Sequence, residues 1–499
     1  MSTVGKDLVT IQAHLCSEQK KLGGPVPHLT AWLVDRRNLK AAWQRVKAAP
    51  GAESPGPDGL TPRHVKNPDR FLSAIAEEIL KGRFRPSPFR TVEVPKGPHK
   101  VGTRTLTILN LRDRVVHTAV KQILEPLFEP TFSSASYGFR PGRSVAGAVA
   151  GVVRALSEPG NALSYGCGLD IADCFDHLDV SLLLSQLSRG VQDSDFLGLL
   201  ELILESGSRR VGLWHPRRVG ILQGSPLSPL LCNLYLDPID RAMAAYHASR
   251  SHQADYSRYA DDILLLAESP SELLGSVRRL HHSLQEKGLR LREFTTPLAI
   301  LAQSTSWILN SHADVVSRLL FSYSPVKHGV SWLGVHIRPR CVLPRERVLF
   351  GYYVPDSKIA DILAAVEEMT ALPDIRLEPK SFVASGWIRS LNRQLRQWRQ
   401  AYMHADNAYA VFQVVDDFVQ RQVKRLLKHL YKISAREVHE RFSRRLPRGF
   451  RTFEVEGVQL VTLSAMPPER PGRLIYKPAW LNAPARAANN DAARALVQD

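Results

Sequence analysis

The sequence predicts an α+β fold in which helices cover one face of an antiparallel sheet. Three patterns predict it: a short apolar strand ending at Asp170, a strand–turn–strand around Tyr259-Ala260-Asp261-Asp262, and a capped helix over 269–288 with a further strand after it. This order matches a split β-α-β arrangement. In that topology the first strand lies beside the hairpin, so Asp170 is expected to meet Asp261 and Asp262.

Composition and charge indicate a globular protein with a polyanionic partner. The 499 residues allow two or three domains, and 44% hydrophobic with 23% charged residues excludes disorder as the main state. The excess of 66 Lys+Arg over 48 Asp+Glu gives a net charge of +18, which favours nucleic acid through counterion release. A merely basic surface is the alternative.

Cysteine usage and hydropathy indicate a reducing compartment. The five cysteines include no C-x-x-C pair and no zinc spacing, so we expect reduced, mostly buried thiols. The first residues lack the apolar core of a signal peptide, and no apolar run approaches membrane-spanning length. We therefore expect a cytoplasmic protein without a membrane partner.

The N-terminal third is predicted to be helical apart from one hairpin. Residues 1–45 follow a helical period, and further helices are predicted over 70–80 and 112–128. Alternation on both sides of a Pro/Gly turn predicts a hairpin with Lys96 at its tip and Arg104 on its return strand. Two cations there suit a triphosphate, with solvated strand residues as the alternative.

A turn rich in arginine and aromatic residues follows, over 136–144. It presents Arg140 and Arg143 beside Tyr137 and Phe139, the mixture that holds backbone phosphate and stacks bases. A packed turn with surface arginines explains the pattern equally well.

A glycine-containing turn over 220–229 feeds a helix predicted over 230–246. Such a turn at a helix N-terminus lets the backbone approach a ligand closely, and Gln223 is placed to face a nucleotide. An ordinary loop-to-helix junction is the alternative.

The paired acids Asp261 and Asp262 are the candidate metal site. Two adjacent acids cannot hold a pair of Mg2+ ions alone, because hard cations need several oxygen ligands. Asp170 is the best candidate for the third carboxylate. Without it, a solvated hairpin turn is the simpler interpretation.

The C-terminal part is predicted to be a short strand over 331–337 followed by helices. On the first long helix the arginines Arg393, Arg396 and Arg399 lie mostly off the apolar face, and the next helix carries Lys424 and Arg425. A helical bundle with basic outer faces can bind along a nucleic-acid duplex. Solvated faces of a structural bundle are the alternative.

The last sixty residues are rich in Arg, Pro and Ala. A strand-like patch spans 453–463, and disorder is expected from Ala483 onward.

Taken together, these stretches resemble the reverse transcriptases of the bacterial group II intron type. The match runs from about Asn38 to Lys432, and Leu391–Trp398 is similar to the start of the family's thumb, or maturase X region. The specific matches, in the family's order, are Tyr137-Gly138-Phe139-Arg140-Pro141-Gly142-Arg143-Ser144, Asp170 followed by Phe175, Gln223-Gly224-Ser225-Pro226-Leu227-Ser228-Pro229-Leu230-Leu231, and Tyr259-Ala260-Asp261-Asp262.

The resemblance implies a right-hand polymerase with fingers, a ferredoxin-like palm and a helical thumb. The ranges that it implies are an N-terminal helical extension (1–68), fingers (69–165), palm (166–345), thumb or maturase X-like region (346–440) and a basic C-terminal tail (441–499).

The resemblance also implies a site for two Mg2+ ions, with Mn2+ as the alternative metal. Asp170 and Asp261 would bridge the ions, Asp262 would assist and the carbonyl of Ile171 would add an oxygen. Phe175 would exclude a ribose 2′-OH. The remaining implied contacts are Lys96, Arg104, Gln223, Tyr259 and Ala260 for the nucleotide, and Arg140, Arg143, Arg393, Arg396, Arg399, Lys424 and Arg425 for nucleic acid.

The implied activity is that of an RNA-directed DNA polymerase, a nucleotidyltransferase. It would extend a DNA or RNA primer on an RNA template with dNTPs, in partnership with a structured noncoding or intron RNA. The settings left open are intron mobility, CRISPR spacer capture and phage defence. An RNA-binding maturase with secondary polymerase activity and a non-catalytic scaffold are the alternative classes.

The sequence departs from the family in three places. Thr295 stands where the family often has a lysine, so a general acid for pyrophosphate is unassigned. The segment Arg104–Leu109 keeps the family's arginine but alters its turn. The C-terminus lacks the paired cysteines of the family's HNH endonuclease, so retrohoming by its own nuclease is not expected.

Overall fold

The structure is a computed structural model with side chains. The residues that it describes are 3–95, 103–158, 160, 162–206, 209–210, 213–214, 218–249, 254–292, 324–325, 329–343, 347–371 and 384–466. Lys96 and Thr295 lie outside the described residues.

Helices and strands are both plentiful, which confirms the α+β class. The helices are Thr3–Leu22 (α1), Leu29–Val34 (α2), Arg36–Ala48 (α3), Pro68–Leu80 (α4), Leu111–Phe128 (α5), Val145–Ser157 (α6), Cys174–His177 (α7), Val180–Leu187 (α8), Ser194–Leu204 (α9), Ser228–Ala248 (α10), Pro270–Gln285 (α11), Asp356–Met369 (α12), Ala384–Tyr402 (α13), Ala408–Tyr431 (α14) and Ala435–Phe442 (α15). The strands are Val26–Pro27 (β1), Arg90–Pro95 (β2), Thr103–Ile108 (β3), Tyr165–Asp170 (β4), Val191–Gln192 (β5), Arg209–Arg210 (β6), Leu213–Trp214 (β7), Ala254–Tyr259 (β8), Asp262–Ala267 (β9), Ser324–Pro325 (β10), Val330–Trp332 (β11), Val335–Leu343 (β12), Arg347–Tyr353 (β13), Ser443–Arg445 (β14), Arg451–Val455 (β15) and Val458–Gln459 (β16).

The central sheet has four antiparallel strands in the order β10-β4-β9-β8. Its β4 pairs with β9 along the whole strand, from Tyr165 opposite Ala267 to Asp170 opposite Asp262. The predicted neighbourhood of the first strand and the hairpin is therefore confirmed.

Both faces of β9 are buried, not one as predicted. Ile263, Leu265 and Ala267 join a core that includes residues of α5, α10 and α11. Leu264 and Leu266 join a second core with α6, β11 and the helices α13 and α14. This explains why β9 is continuously apolar, since a strand covered on both faces has no solvent side to mark with polar residues.

The N-terminal helices pack on the same core as the central sheet. Ile11, Leu39 and Trp43 lie in one apolar cluster with Ile123 of α5 and with the α10–α11 side chains. Buried amides add to this packing, because Nε2 of Gln122 donates 2.7 Å and 3.0 Å hydrogen bonds to the side-chain and main-chain oxygens of Asn38. The described part of the N-terminal segment thus braces the fold, as expected.

The predicted strand over 331–337 is two strands joined by a tight turn. Leu333 and Gly334 have φ values of 51° and 76°, and Trp332 pairs with Val335 across them. Left-handed values at both central residues are typical of a two-residue hairpin loop. The apolar character of Leu333 hides this turn in the sequence.

The segment after residue 440 contains a small sheet in its described part. Strands β14, β15 and β16 form an antiparallel meander, which includes the predicted strand-like patch. Asn392 of α13 donates 2.8 Å to the carbonyl of Gln459 and accepts 2.7 Å from the amide of Val461. Asp416 of α14 accepts the amides of Leu463 and Ser464, both at 2.7 Å.

Membrane-spanning helices are absent from the described residues, where no helix has the length and apolarity needed to cross a bilayer.

Candidate active site

The turn over residues 259–262, here called the acidic turn, lies where the ends of three strands meet. Asp170 at the end of β4 stands opposite Asp262 at the start of β9, and Tyr259 at the end of β8 stands opposite Asp262 on its other side. The amide of Ile171 donates a 2.9 Å hydrogen bond to the carbonyl oxygen of Asp261. Opposed residues carry their side chains on the same face of a sheet. Asp170 is therefore brought to the same edge of the sheet as Asp261 and Asp262, although it precedes Asp261 by 91 residues in the chain.

The turn between β8 and β9 has a strained backbone that its neighbours hold in place. Ala260 has a φ of 59°, a left-handed value that is costly for a residue with a β-carbon. Its carbonyl oxygen accepts a 3.0 Å hydrogen bond from Nη1 of Arg258. Gly138 packs so closely against the turn that a β-carbon there would overlap the backbone nitrogen of Ala260.

A buried arginine beneath the turn connects it to α10. Arg258 is 1% exposed and pairs with Asp240, whose carboxylate also accepts a 2.7 Å hydrogen bond from the hydroxyl of Tyr256. Nη2 of Arg258 donates 2.9 Å to the hydroxyl of Ser136. Burial opposes the charged guanidinium, but the Asp240 carboxylate outweighs burial and raises the pKa of Arg258.

The carboxylates of Asp170 and Asp173 lie near the guanidinium of Arg292. Nη1 of Arg292 lies 2.7 Å from Oδ2 of Asp170, and Nη2 lies 4.0 Å from Oδ1 of Asp173. Within the described residues, no group of three or more His, Cys, Asp or Glu side chains is close enough, as placed, to hold a metal ion. The expected convergence of three acidic side chains on one point is thus not seen in the described residues, and Asp170 pairs with Arg292 instead.

The donor set nevertheless fits a hard divalent cation. Asp170, Asp261 and Asp262 supply carboxylate oxygens, the ligands that Mg2+ prefers. The guanidinium on Asp170 shows that this edge of the sheet accepts positive charge. These three residues and the nearby carbonyl of Ile171 are the groups that would hold metal ions here.

A cavity of about 1020 Å3 opens in front of the acidic turn. Its walls include the three acids and three of the predicted nucleotide contacts, Arg104, Phe175 and Gln223. Arg104 is exposed on β3, and Phe175 is half-buried. Tyr259 and Ala260 lie in the turn itself, the first half-buried and the second buried.

The Gln223 loop joins the β2–β3 hairpin to α7 at the cavity. The amide of Thr107 donates 2.6 Å to the carbonyl of Gln223, whose side chain donates 3.0 Å to Oδ2 of Asp176. Gly224 has a φ of 109°, and a β-carbon there would lie 2.5 Å from the carbonyl oxygen of Thr107. Glycine is thus required where this loop meets the hairpin.

Two buried cysteines lie beside the cavity, and one of them, Cys174, is part of its wall. The Sγ atoms of Cys174 and Cys232 are 3.9 Å apart. The hydrogen bond between them and burial raise the pKa of the Cys174 thiol well above its ordinary value, and the charge of Asp261 adds to this. A thiol in this environment stays protonated and packs as a small apolar group.

The structure places Arg140 and Arg399 differently from the prediction of nucleic-acid contacts. Arg140 is 7% exposed, its guanidinium pairs with Glu129 at 2.9 Å, and it also donates to the carbonyls of Ser133 and Ser136. Arg399 is 8% exposed within α13. Neither guanidinium is placed to reach a phosphate in solvent, because both are enclosed by the fold.

The side chain of Arg143 also makes its contacts mainly within its own turn. Its Nη1 donates 2.6 Å and 3.0 Å to the carbonyls of Ser134 and Ser136, and its guanidinium lies over the ring of Tyr137 at 5.0 Å. Burial lowers the pKa of Arg143. Of the two interpretations that the sequence left open for this turn, the structure favours a packed turn.

Four predicted nucleic-acid contacts are exposed. Arg393 and Arg396 lie on α13, and Lys424 and Arg425 lie on α14. Arg393 and Arg396, together with Arg389, line a cavity of about 770 Å3 between α13 and the segment 446–466. This groove is positively charged along its α13 side.

Sequence reasoning missed the polar residues that support the turn. Asn233, Asp237 and Asp240 are buried polar residues of the otherwise apolar α10. Asn233 donates 2.8 Å to the carbonyl of Gly138, and Asp240 pairs with Arg258. Polar residues at this spacing on a buried helix were the available signal. Arg292 carried no such signal, since its partner Asp170 is distant in the chain.

Comparisons with known proteins agree with this geometry. A family model described as reverse transcriptase (RNA-dependent DNA polymerase) matches residues 94–337, which contain the whole acidic turn. Protein YkfC of Escherichia coli K12 is 30% identical over 271 residues, which are 48% of this chain and 71% of YkfC.

Two relatives bear names that refer to introns. The group II intron-encoded protein LtrA of Lactococcus lactis is 28% identical over 257 residues, 50% of this chain and 38% of LtrA. Nuclear intron maturase 1 of Arabidopsis thaliana is 38% identical over 100 residues, 20% of this chain and 14% of that protein. The chain thus spans well under half of these two relatives.

The motifs, the strand pairing at Asp170 and Asp262, and the matches therefore lead to one conclusion. The chain belongs to the reverse transcriptase family of RNA-directed DNA polymerases, which are nucleotidyltransferases, and within it to the group II intron type that its motifs predict.

Proposed function

We propose that this chain extends a DNA or RNA primer on an RNA template with dNTPs, by two-metal nucleotidyl transfer at the acidic turn. The observation that carries the proposal is the register that sets Asp170 opposite Asp262, with the Ile171 amide bonded to the Asp261 carbonyl. A polymerase needs carboxylates from separate strands close together, and the register supports this role by setting Asp170 and Asp262 side by side at one edge of the sheet.

The roles that we assign follow from position. Asp170 and Asp261 would hold the two Mg2+ ions, with Asp262 and the carbonyl of Ile171 as further ligands. When bound, such ions lower the pKa of the primer 3′-hydroxyl and neutralise charge on the leaving pyrophosphate. For Asp170 to bind a metal ion through Oδ2, Arg292 has to release that oxygen.

Around the acids, the chain binds and orients the nucleotide. Arg104 would bind the triphosphate on the fingers side of the cavity. Lys96, which lies outside the described residues, is assigned to the triphosphate from the sequence alone. Gln223 would lie beside the base, since its loop is bonded to the hairpin through Thr107. Phe175 lines the cavity and would pack against the sugar, leaving no room for a 2′-hydroxyl.

We also propose the division into an N-terminal extension (1–68), fingers (69–165), palm (166–345), thumb (346–440) and C-terminal region (441–499). The exposed residues Arg393, Arg396, Lys424 and Arg425 would contact the backbone of the template–primer duplex. We assign the described part of the C-terminal region to the thumb as an extension, a proposal supported by the hydrogen bonds that connect it to α13.

Primer extension with Asp261→Asn tests the proposal. An oligonucleotide primer annealed to RNA, dNTPs and Mg2+ should give full-length DNA with the wild-type chain and a loss of at least about 100-fold with the variant. Asp417→Asn is the matched control, because it removes an exposed carboxylate from α14, far from the turn in sequence. Undiminished synthesis by Asp261→Asn would refute the assignment.

A splicing cofactor is the second candidate, favoured by the intron-related names of two relatives. A maturase binds its intron RNA without needing the acidic turn. Equal splicing of a cognate intron by wild type and Asp261→Asn, with no DNA product from either, would support this alternative over polymerase activity.

A further inference from the structure

One cationic side chain at the acidic turn has no role in the proposed function. Arg292 lies directly after the bridge between Ile171 and Leu291 and lines the same cavity as Arg104 and Gln223. Its Nη1 contacts Oδ2 of Asp170 at 2.7 Å. The pair is partly open to solvent, with the Arg292 side chain 50% exposed and that of Asp170 32% exposed.

The backbone keeps Arg292 beside Asp170. The amide of Arg292 donates a 2.8 Å hydrogen bond to the carbonyl of Asp170, and the amide of Ala172 donates 2.9 Å to the carbonyl of Arg290. These two bonds tie the Arg292 segment to the end of β4. The guanidinium therefore stays within reach of the carboxylate through rotations of its own side chain.

A guanidinium and a divalent ion compete for the same oxygen. A Mg2+ ligand distance is about 2.0–2.1 Å, and an ion at that distance from Oδ2 of Asp170 would meet the positive charge of Arg292. Asp173 offers the displaced guanidinium another acceptor, since its Oδ1 is already 4.0 Å from Nη2. Arg292 can leave Asp170 without leaving the cavity.

We propose that Arg292 is a positioning residue that competes with divalent cations for Asp170 and so sets the metal requirement of the polymerase. This inference rests on the proposed function, because it takes Asp170 as a metal ligand. Arg292 holds the Asp170 carboxylate toward the cavity. A metal ion that binds Oδ2 of Asp170 has to displace the Arg292 guanidinium, which lowers the affinity for the metal.

The test measures metal binding without nucleotide or nucleic acid. Mn2+ is titrated into the full chain, and free Mn2+ is followed by electron paramagnetic resonance. Because a partly exposed ion pair is weak, Arg292→Gln should lower the Mn2+ Kd about 1.4- to fivefold. Arg292→Lys keeps the charge and should stay near the wild-type Kd. Arg290→Gln removes the same charge two residues away and is the matched control.

A second measurement uses catalysis. The Mg2+ concentration that gives half-maximal primer extension should fall in Arg292→Gln by the same factor as the Mn2+ Kd. An unchanged or weaker Mn2+ affinity in Arg292→Gln overturns the inference, as does an equal gain in Arg290→Gln. A wild-type chain that binds Mn2+ but makes no DNA would instead contradict the proposed function, so the two failures are distinguishable.

Discussion

The carboxylate of Asp240 on α10 accepts two hydrogen bonds from the guanidinium of Arg258 on β8, 2.7 Å from Nε and 2.6 Å from Nη2. Neither side chain is in contact with solvent, at 1% and 0% exposure. The remaining Nη1 of Arg258 binds the carbonyl of Ala260 in the acidic turn. A charge pair inside the core thus fixes the geometry of the turn.

Asp240→Asn should be strongly destabilising, because it leaves the Arg258 charge buried without a counterion. We expect a loss of about 3–5 kcal/mol in the free energy of unfolding, measured by urea denaturation. Asp361→Asn breaks a partly exposed pair with Lys358 and should cost less than about 1 kcal/mol. Equal losses in the two variants would contradict the structural role of the buried pair.

Gly138→Ala should lower the rate of primer extension about 100-fold while the chain still folds. The added β-carbon would overlap the backbone nitrogen of Ala260 and shift the acidic turn, and a displacement of about 1 Å can cost about 100-fold in rate. Primer extension and thermal unfolding are measured together. Gly198→Ala is the control, because no atom lies within 4 Å of its added β-carbon.

His117 should make stability depend on pH in the acid range. Burial lowers its pKa to about 4 from 6.5, and Nδ1 lies 2.8 Å from the hydroxyl of Ser225. Between these two pKa values the unfolded chain binds a proton that the folded chain does not. The free energy of unfolding therefore falls as the pH falls from 6.5 to 4, by about 3 kcal/mol.

The contribution of His117 is measured as the difference between wild type and His117→Gln across this pH range. The difference is needed because burial raises the pKa of Asp113 to about 6, which makes stability fall as pH rises from 3.8 to 6, the opposite sign. A constant difference between the two chains from pH 4 to 6.5 would contradict the prediction.

Phe175→Val should relax sugar selection. The smaller side chain leaves space in the cavity for a 2′-hydroxyl, so ribonucleotide incorporation relative to dNTP should rise about tenfold or more. The measurement compares kcat/KM for one matched dNTP and rNTP. Phe350→Val, at a partly buried phenylalanine of β13, is the control and should leave the ratio unchanged.

The double variant Arg393→Gln/Arg396→Gln should bind the template–primer duplex more weakly than wild type. Its binding constant should also depend less on salt concentration. If each arginine neutralises one phosphate, the slope of log K against log salt should fall by about 0.9 per residue. Arg436→Gln, 89% exposed on α15, is the matched control. An unchanged slope in the double variant would place the duplex elsewhere.

Local patterns were sufficient for most elements of the fold. Helix α4 spans Pro68–Leu80, close to the predicted 70–80, and Ser269 caps α11 by accepting a 3.3 Å hydrogen bond from the amide of Glu272. The pairing of Asp170 with Asp262 followed from element order. These features depend on residues near each other in sequence or on a simple topological rule.

The burial and the partners of the arginines could not be predicted from local sequence patterns. The sequence predicts both Arg140 and Arg393 as nucleic-acid contacts, but the first pairs with Glu129 inside the fold and the second is exposed. Burial of a charge depends on whether the fold brings a counterion to it, which no local period encodes. For the same reason, the ion pairs of Arg258 and Arg292 could not be predicted from the sequence.

The meander that follows residue 440 decides where the thumb can be cut. Truncation at a boundary drawn from composition would take away the partners of Asn392 and Asp416 and leave an amide and a carboxylate exposed on α13 and α14. A minimal, independently stable polymerase therefore has to retain the chain at least as far as Ser464, and libraries of shortened variants should show a sharp loss of yield once that residue is removed.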